Sequence, residues 1–252
     1  MTARYEELEK IVRILREKCP WDREQTNDSI KYNTIEEAYE VLEAIDEKNY
    51  DELKIELGDL LLHVIFHSVI AEQDGKFKVE DVVESIIEKL IKRHPHVFGE
   101  LKVDDSDQVK TNWEKLKIKE GRKSIVDGVP KNLSQLVRAE RLQYKAAKVG
   151  FDWKKKEDVV KKIEEELNEL KEAINLNNYQ RIEEEIGDLL FSVVNLSRFV
   201  NIIAEEALKK TNEKFIRRFQ YVEKRLKENG KSPDDSNLEE MDKYWNESKK
   251  KI

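Results

Sequence analysis

The 252-residue sequence predicts an all-α fold, a tandem repeat of two helical bundles. Composition is the first reason: 38% of residues are hydrophobic against 40% charged, with only 8 Gly and 4 Pro, so a core has to be assembled from narrow apolar stripes on helices. Periodicity is the second, because apolar residues recur at helical spacing along most of the chain and no two-residue alternation competes with them. The third is repetition. Glu36-Glu37-Ala38-Tyr39-Glu40 returns as Glu165-Glu166-Leu167-Asn168-Glu169, and Glu56-Leu57-Gly58-Asp59-Leu60-Leu61 returns as Glu185-Ile186-Gly187-Asp188-Leu189-Leu190, both at an offset of 129 (165 − 36 and 185 − 56).

In the first half, helices are predicted near 3–18, 30–48, 51–73, 79–93 and 107–120. The opening residues Met1-Thr2-Ala3-Arg4-Tyr5-Glu6-Glu7 pass straight into polar helix with no leader-like apolar run. A short turn at Asn49-Tyr50, repeated as Asn178-Tyr179, makes the flanking helices antiparallel neighbours. Gly58, and Gly187 in the repeat, lie inside helices at a cost of ~1 kcal/mol relative to Ala, which points to close approach by another backbone or a ligand. The stretch Gly121-Arg122-Lys123-Ser124-Ile125-Val126-Asp127-Gly128-Val129-Pro130 concentrates Gly, Ser and Pro and reads as a linker, about 121–132, between domains 1–130 and 131–252. Helices follow near 133–148, 156–176, 179–204, 206–229 and 238–250. Beyond the hairpins the repeat loosens: Glu88-Lys89-Leu90-Ile91-Lys92-Arg93 matches Glu213-Lys214-Phe215-Ile216-Arg217-Arg218, and Trp113 matches Trp245, at offsets of 125 and 132 (213 − 88 and 245 − 113).

On a helix, residues three apart share a face, so Glu37 can point with Glu40 and Glu56 with Asp59, and likewise Glu166 with Glu169 and Glu185 with Asp188. Four carboxylates converging from facing helices repel one another unless protonated or neutralised by a cation, and hard oxygen ligands favour Mg²⁺ or Mn²⁺. A di-iron centre would need Glu-x-x-His motifs. His63 and His67 lie close after Asp59, but the repeat has Ser192 and Leu196 there, so the two histidines read as packing or local hydrogen-bonding groups. His94 and His96 flank Pro95 in a turn. Each half also offers a basic helix for phosphate oxygens, with Lys89, Lys92 and Arg93 in one and Lys214, Arg217 and Arg218 in the other. Trp113, Trp245, Phe151, Trp153 and Trp21 could stack on a base or could belong to the core.

Other classes are disfavoured. A net charge of -7 argues against a duplex-binding surface, since phosphate backbones are held by excess Lys and Arg. Cys19 is the only cysteine, which excludes an intrachain disulfide and fits a reducing cytoplasm. No apolar run approaches the ~18 residues of a membrane span. The alternative function is a non-catalytic acidic helical interaction module, although an acidic docking face requires neither the internal glycines nor the basic helices.

The doubled pattern E-E-x-x-E, then fifteen residues, then E-x-G-D resembles the MazG family of nucleoside triphosphate pyrophosphohydrolases. Cys19-Pro20-Trp21-Asp22-Arg23-Glu24-Gln25-Thr26, Arg93-His94-Pro95-His96-Val97-Phe98, Val149-Gly150-Phe151-Asp152-Trp153 and Asn212-Glu213-Lys214-Phe215-Ile216-Arg217-Arg218-Phe219 extend the resemblance over nearly the whole chain. It implies two MazG-type helical-bundle domains, usually in a homodimer, that hydrolyse NTPs and dNTPs of broad base range to monophosphate and pyrophosphate. It further implies a centre chiefly in the C-terminal module, with Glu166, Glu169, Glu185 and Asp188 as Mg²⁺ ligands. Lys214, Arg217, Arg218 and Trp245 would then contact nucleotide, with Lys162, Glu165 and Arg181 nearby. Glu37, Glu40, Glu56 and Asp59 are the N-terminal counterparts, with Lys89 and Arg93 as its phosphate cations; Lys92 replaces Arg217 there and loses a planar guanidinium. The expected chemistry is attack of water on the α-phosphorus, the water oriented or deprotonated by the carboxylate of each doubled glutamate that is not committed to metal, Glu165 or Glu36.

Overall fold

The computed structural model describes residues 2–105, 108–109, 112–113 and 123–251; most of the helix expected near 107–120, and linker residues 121–122, lie outside them. The chain divides into two compact units, Met1–Asp104 and Asp105–Ile252. That division precedes the Gly/Ser/Pro-rich stretch near residue 130 because the stretch is tied into unit 2. The buried Lys145 ammonium donates to the carbonyls of Ile125 and Asp127 at 3.1 and 3.2 Å.

Unit 1 consists of α1 (Thr2–Lys18), α2 (Pro20–Glu24), α3 (Lys31–Asp46), α4 (Tyr50–Gln73), α5 (Val79–Arg93) and α6 (Pro95–Phe98). The short helices α2 and α6 span less than two turns, too little for a helical period to show; each carries Pro at a first-turn position, where its fixed φ and missing N–H suit helix initiation. The buried Arg16 of α1 holds α2 and α4 together, donating to the carbonyls of Asp22 and Gln25 and to Gln73 Oε1. Val12, Ile30, Ile65, Phe66, Val69, Ile70 and Val79 form the core, so the C-terminal half of α4 is buried while its N-terminal half is left to carry the acidic residues.

Unit 2 contains α7 (Gln135–Ala147), α8 (Lys156–Asn175), α9 (Tyr179–Phe199), α10 (Ala204–Glu228) and α11 (Leu238–Ser248). The long helix expected to reach residue 204 ends at Phe199, where Asn201 takes a positive φ of 57° and the next helix departs at a bend of 106°. Val222, Leu226 and Tyr244 pack α10 against α11. No strand occurs among the described residues, and no single described helix is long and apolar enough to cross a membrane.

Both hairpins turn the same way for the same local reason. Lys48 and Asn177 adopt left-handed backbone (φ 57° and 51°), and the next residue, Asn49 or Asn178, reaches back to Ala44 or Ala173 with its N–H at 2.9 and 3.1 Å. Each Asn side chain then caps the following helix by accepting from the N–H of Glu52 or Arg181 at 3.2 Å. Ala44 and Ala173 are fully buried, and a larger side chain would push the hairpin arms apart.

Candidate active site

In unit 2 the hairpin α8–α9 brings Glu166 across to Glu185 and Asp188, with one carboxylate oxygen of each within 4.8 Å of the other two. Glu166 and Glu185 are only 5% and 8% exposed, so little water screens the like charges. Glu169, one turn along α8, has its carboxyl pKa raised by burial and by the charges of Glu185 and Glu166. Two cations on the same helices offset part of this repulsion. Lys162 Nζ lies 2.5 Å from Glu165 Oε1 and 2.8 Å from Glu166 Oε1, hydrogen bonds that hold its pKa above the ordinary lysine value. Arg181 Nε donates to Glu185 Oε1 at 3.2 Å.

In unit 1, Glu37, Glu56 and Asp59 form the matching triad, again with oxygens within 4.8 Å of one another. Its surroundings are different. At the offset of 129, Asn33 stands for Lys162 and Glu52 stands for Arg181. Burial, a hydrogen bond with Glu52 and the charges of Glu40, Glu52 and Asp59 push the Glu56 carboxyl up to about 7. Glu37 is raised by burial and by Glu40 and Asp59. The carboxylates of the two centres match at the offset of 129, but the cations beside them do not.

The histidines of α4 join a local hydrogen-bond chain. Thr34 Oγ1 lies 3.3 Å from His63 Nδ1 and 2.9 Å from His67 Nε2, and His67 Nδ1 lies 2.6 Å from Asn27 Oδ1. Burial lowers both pKa values, which favours the neutral form of each ring. His63 Nε2 approaches Glu37 Oε1 at 3.7 Å. His94 Nδ1 donates to the Leu90 carbonyl at 2.7 Å.

A cavity of ≈ 660 Å³ in unit 2 has Lys162, Glu166 and Asp188 in its wall together with Leu142, Phe151, Trp153 and Phe191. Its mouth is shaped by Gly150, whose φ of +89° ends α7 and sends Phe151-Asp152-Trp153 back across the opening. Asp152 is fixed there by a two-pronged bond from Arg198, at 3.0 and 2.5 Å. Phe151 is 82% exposed, so the core reading of that aromatic does not hold.

Other expected residues lie apart from this cavity. Lys214 and Arg217 are exposed on α10, and Arg218 lies 5.9 Å from the Trp245 ring, which packs 5.2 Å from Phe215 and against the Val222–Leu226–Tyr244 cluster. None of the four lines the cavity wall, because α10 has turned away from α9. In unit 1, Lys89 is exposed and Arg93 half-buried on α5, while Glu36, like Glu165, is exposed beside its triad. Among the described residues nothing outside the local helix lies within 4 Å of a Cβ placed at Gly58 or Gly187, so they do not make the close backbone approach inferred for these glycines.

A model of the MazG nucleotide pyrophosphohydrolase domain matches the chain twice, at residues 25–98 and 154–223, and each match encloses one carboxylate hairpin. The chain belongs to the MazG family. It is 48% identical to the nucleoside triphosphate pyrophosphohydrolase/pyrophosphatase MazG of Thermotoga maritima, over 97% of this chain and 95% of that one. To a nucleoside triphosphate pyrophosphohydrolase of Escherichia coli K12 it is 41% identical, over 92% of this chain and 90% of that one. The tandem all-α organisation expected from the repeat is thus that of two MazG domains in series. What distinguishes the two in this MazG chain is the pair Lys162 and Arg181, present in the second domain alone.

Proposed function

We propose that this chain is a Mg²⁺-dependent nucleoside triphosphate pyrophosphohydrolase of broad base specificity, converting NTPs and dNTPs to the monophosphate and pyrophosphate, with its chemistry centred on unit 2. The observation that carries this reading is the Glu166–Glu185–Asp188 triad, two of its members buried, flanked by Lys162 and Arg181 and open to a nucleotide-sized cavity. Every donor in the triad is a carboxylate oxygen, a set that fits a hard divalent cation, with Mn²⁺ as a substitute. Glu166, Glu169, Glu185 and Asp188 would hold the ion, which when bound withdraws charge from phosphate oxygens.

The chain's own groups do the rest. Lys162, which bridges Glu165 and Glu166 here, is long enough to exchange a carboxylate for a phosphate oxygen once a cation neutralises Glu166. Arg181 offers its remaining guanidinium N–H groups in the same way. Glu165, exposed and outside the triad, is the carboxylate left to accept the proton of the attacking water, so no protein nucleophile is required. Lys214, Arg217, Arg218 and Trp245 are assigned to outer contacts with the nucleotide. Unit 1 is the weaker centre, with Glu36 in the place of Glu165 and Lys89 and Arg93 as its phosphate cations.

A homodimer is supported by the apolar residues that both hairpins expose, among them Ile45, Ile55, Leu57, Ile174, Ile186 and Leu190. The single cysteine supports a reducing, cytoplasmic setting, and the net charge of -7 supports nucleotides rather than duplex nucleic acid as partners. The test is direct: each NTP and dNTP is incubated with the protein in Mg²⁺ or in EDTA, and monophosphate and pyrophosphate are measured. Metal-dependent release from several nucleotides is expected; no release from any would end this reading.

A further inference from the structure

Unit 1 carries a chain of polar contacts that the proposed chemistry leaves unused. It starts at Asn27, in the loop before α3, and runs through His67 of α4 and Thr34 of α3 to His63 of α4, whose Nε2 lies 3.7 Å from Glu37 Oε1. At the offset of 129, Lys156, Leu196, Ile163 and Ser192 stand for Asn27, His67, Thr34 and His63, so none of the four is kept in unit 2. The nitrogen beside the glutamate equivalent to Glu37 is there the ammonium of Lys162, 2.8 Å from Glu166 Oε1. In unit 1 it is an imidazole.

The contacts fix the direction in which this chain is polarised. Burial favours the neutral form of both rings, so each has one N–H and one bare nitrogen. Asn27 Oδ1, which can only accept, lies 2.6 Å from His67 Nδ1, so that nitrogen carries the proton. His67 Nε2 is then bare and accepts from the Thr34 hydroxyl at 2.9 Å. With its proton so used, Thr34 Oγ1 accepts from His63 Nδ1 at 3.3 Å. His63 Nε2 is left bare, its lone pair facing the Glu37 carboxylate, in side chains only 14% and 21% exposed. Two electron-rich atoms so placed repel unless a positive group lies between them. An imidazole held through Nδ1–H with Nε2 free is also the form in which histidine binds a metal, the hydrogen bond setting the orientation of the ring.

We infer that His63 is a nitrogen ligand of the unit 1 centre, which with Glu37, Glu56 and Asp59 takes a divalent transition-metal ion such as Mn²⁺, Co²⁺ or Zn²⁺ in preference to Mg²⁺. The inference rests on the proposed reading of unit 1 as the second, weaker metal centre, and it gives the inequality a chemical basis. The triad of each unit is three carboxylates, a set that suits a hard cation. One imidazole added to them moves the preference toward transition metals, because Mg²⁺ takes oxygen donors.

The test uses the full chain carrying Glu166→Gln, so that unit 1 is the remaining centre, loaded with Co²⁺. An imidazole bound through Nε2 keeps its Nδ1–H, which gives a paramagnetically shifted proton resonance in H₂O that disappears in D₂O. One such resonance is expected, and His63→Leu is expected to remove it. By calorimetry, His63→Leu is expected to lower Co²⁺ affinity about tenfold or more, on the scale seen when a metal site loses even an outer partner, and to leave Mg²⁺ affinity where it was. Circular dichroism controls for folding of the variant, and the resonance of the parent needs no folded variant to be read. No exchangeable shifted resonance in the parent, one that survives His63→Leu, or an equal loss of Co²⁺ and Mg²⁺ affinity in that variant would overturn the inference. The proposed activity is read separately, as pyrophosphate release by the unsubstituted chain in Mg²⁺. Release without nitrogen ligation leaves the activity standing and removes the ligand; nitrogen ligation without release does the reverse.

Discussion

Replacing Glu52 by Arg probes the inequality of the two centres, because it places in unit 1 the cation that unit 2 has at the equivalent position. With Glu52 in place, the Glu56 carboxyl sits at about 7, and a divalent cation that uses it must displace a proton at or below neutral pH. For such a group the apparent affinity scales with its ionised fraction. That fraction is about nine-tenths at pH 8 and about one-tenth at pH 6, so affinity at unit 1 falls roughly tenfold over that interval. Glu52→Arg removes the hydrogen bond and the like charge that Glu52 contributes to the shift, and it adds an ion pair one helical turn from Glu56. Burial is the largest cause and persists, so the pH dependence is expected to shrink rather than vanish. The assay is Mn²⁺ binding followed by electron paramagnetic resonance at pH 6, 7 and 8, in a Glu166→Gln background that disables unit 2. An affinity of unit 1 that does not change between pH 6 and 8, or a slope left untouched by Glu52→Arg, would refute the reasoning. The same shift fixes the sign for stability. A carboxyl whose pKa is raised on folding contributes stability below its ordinary value near 4.5 and loses that contribution as pH rises through about 7. Metal-free protein is therefore expected to melt at lower temperature at pH 8 than at pH 5, and a saturating divalent cation to reduce the difference.

Further outcomes are expected elsewhere in the molecule. Glu166→Gln should lower kcat by about 100-fold, on the scale seen when a metal centre loses even an outer partner, whereas Glu37→Gln should leave most turnover intact; equal losses would contradict the assignment to unit 2. Gly187→Ala should raise the urea midpoint by an amount equivalent to about 0.5–1 kcal/mol, because nothing among the described residues meets the added Cβ, and a destabilised variant would show that a second copy or another group approaches there. Arg198→Ala should release Asp152 and with it the mouth of the cavity. Loss of that largely buried pair, 15% and 26% exposed on its two side chains, should cost roughly 1–3 kcal/mol in chemical denaturation and raise KM more than it lowers kcat.

Much of the centre could be read locally. Glu166 and Glu185 reach one point because helical spacing fixes the face on which each lies and the Asn178 turn fixes the arms as antiparallel, and both rules act within about 25 residues. The same holds for Glu37 and Glu56 across the Asn49 turn. The helical period failed where segments were too short to show it, at Pro20–Glu24 and Pro95–Phe98, and where one apolar stripe ran on past a left-handed residue at Asn201. Asn33 and Glu52, which make the two centres unequal, were also legible, but only by extending the offset from ligands to their neighbours.

By itself, then, the sequence determined the helical class and the carboxylate triads, which follow from short-range periodicity, and the duplication, which follows from recurrence at an offset of 129. Only the tertiary structure decided the nucleotide-sized cavity. Its wall draws Gln143 from α7, Phe151 and Trp153 from the following loop, Lys162 and Glu166 from α8, and Asp188, Phe191 and Asn195 from α9. No spacing rule links residues so far apart in the chain. Their convergence depends on α7 packing across α9, on Lys145 holding the 123–128 segment and on Arg198 clamping Asp152. The basic helix α10, legible as a phosphate-binding face, proved to turn away from that cavity, since the direction of a chain after a left-handed residue is set by packing rather than by pattern.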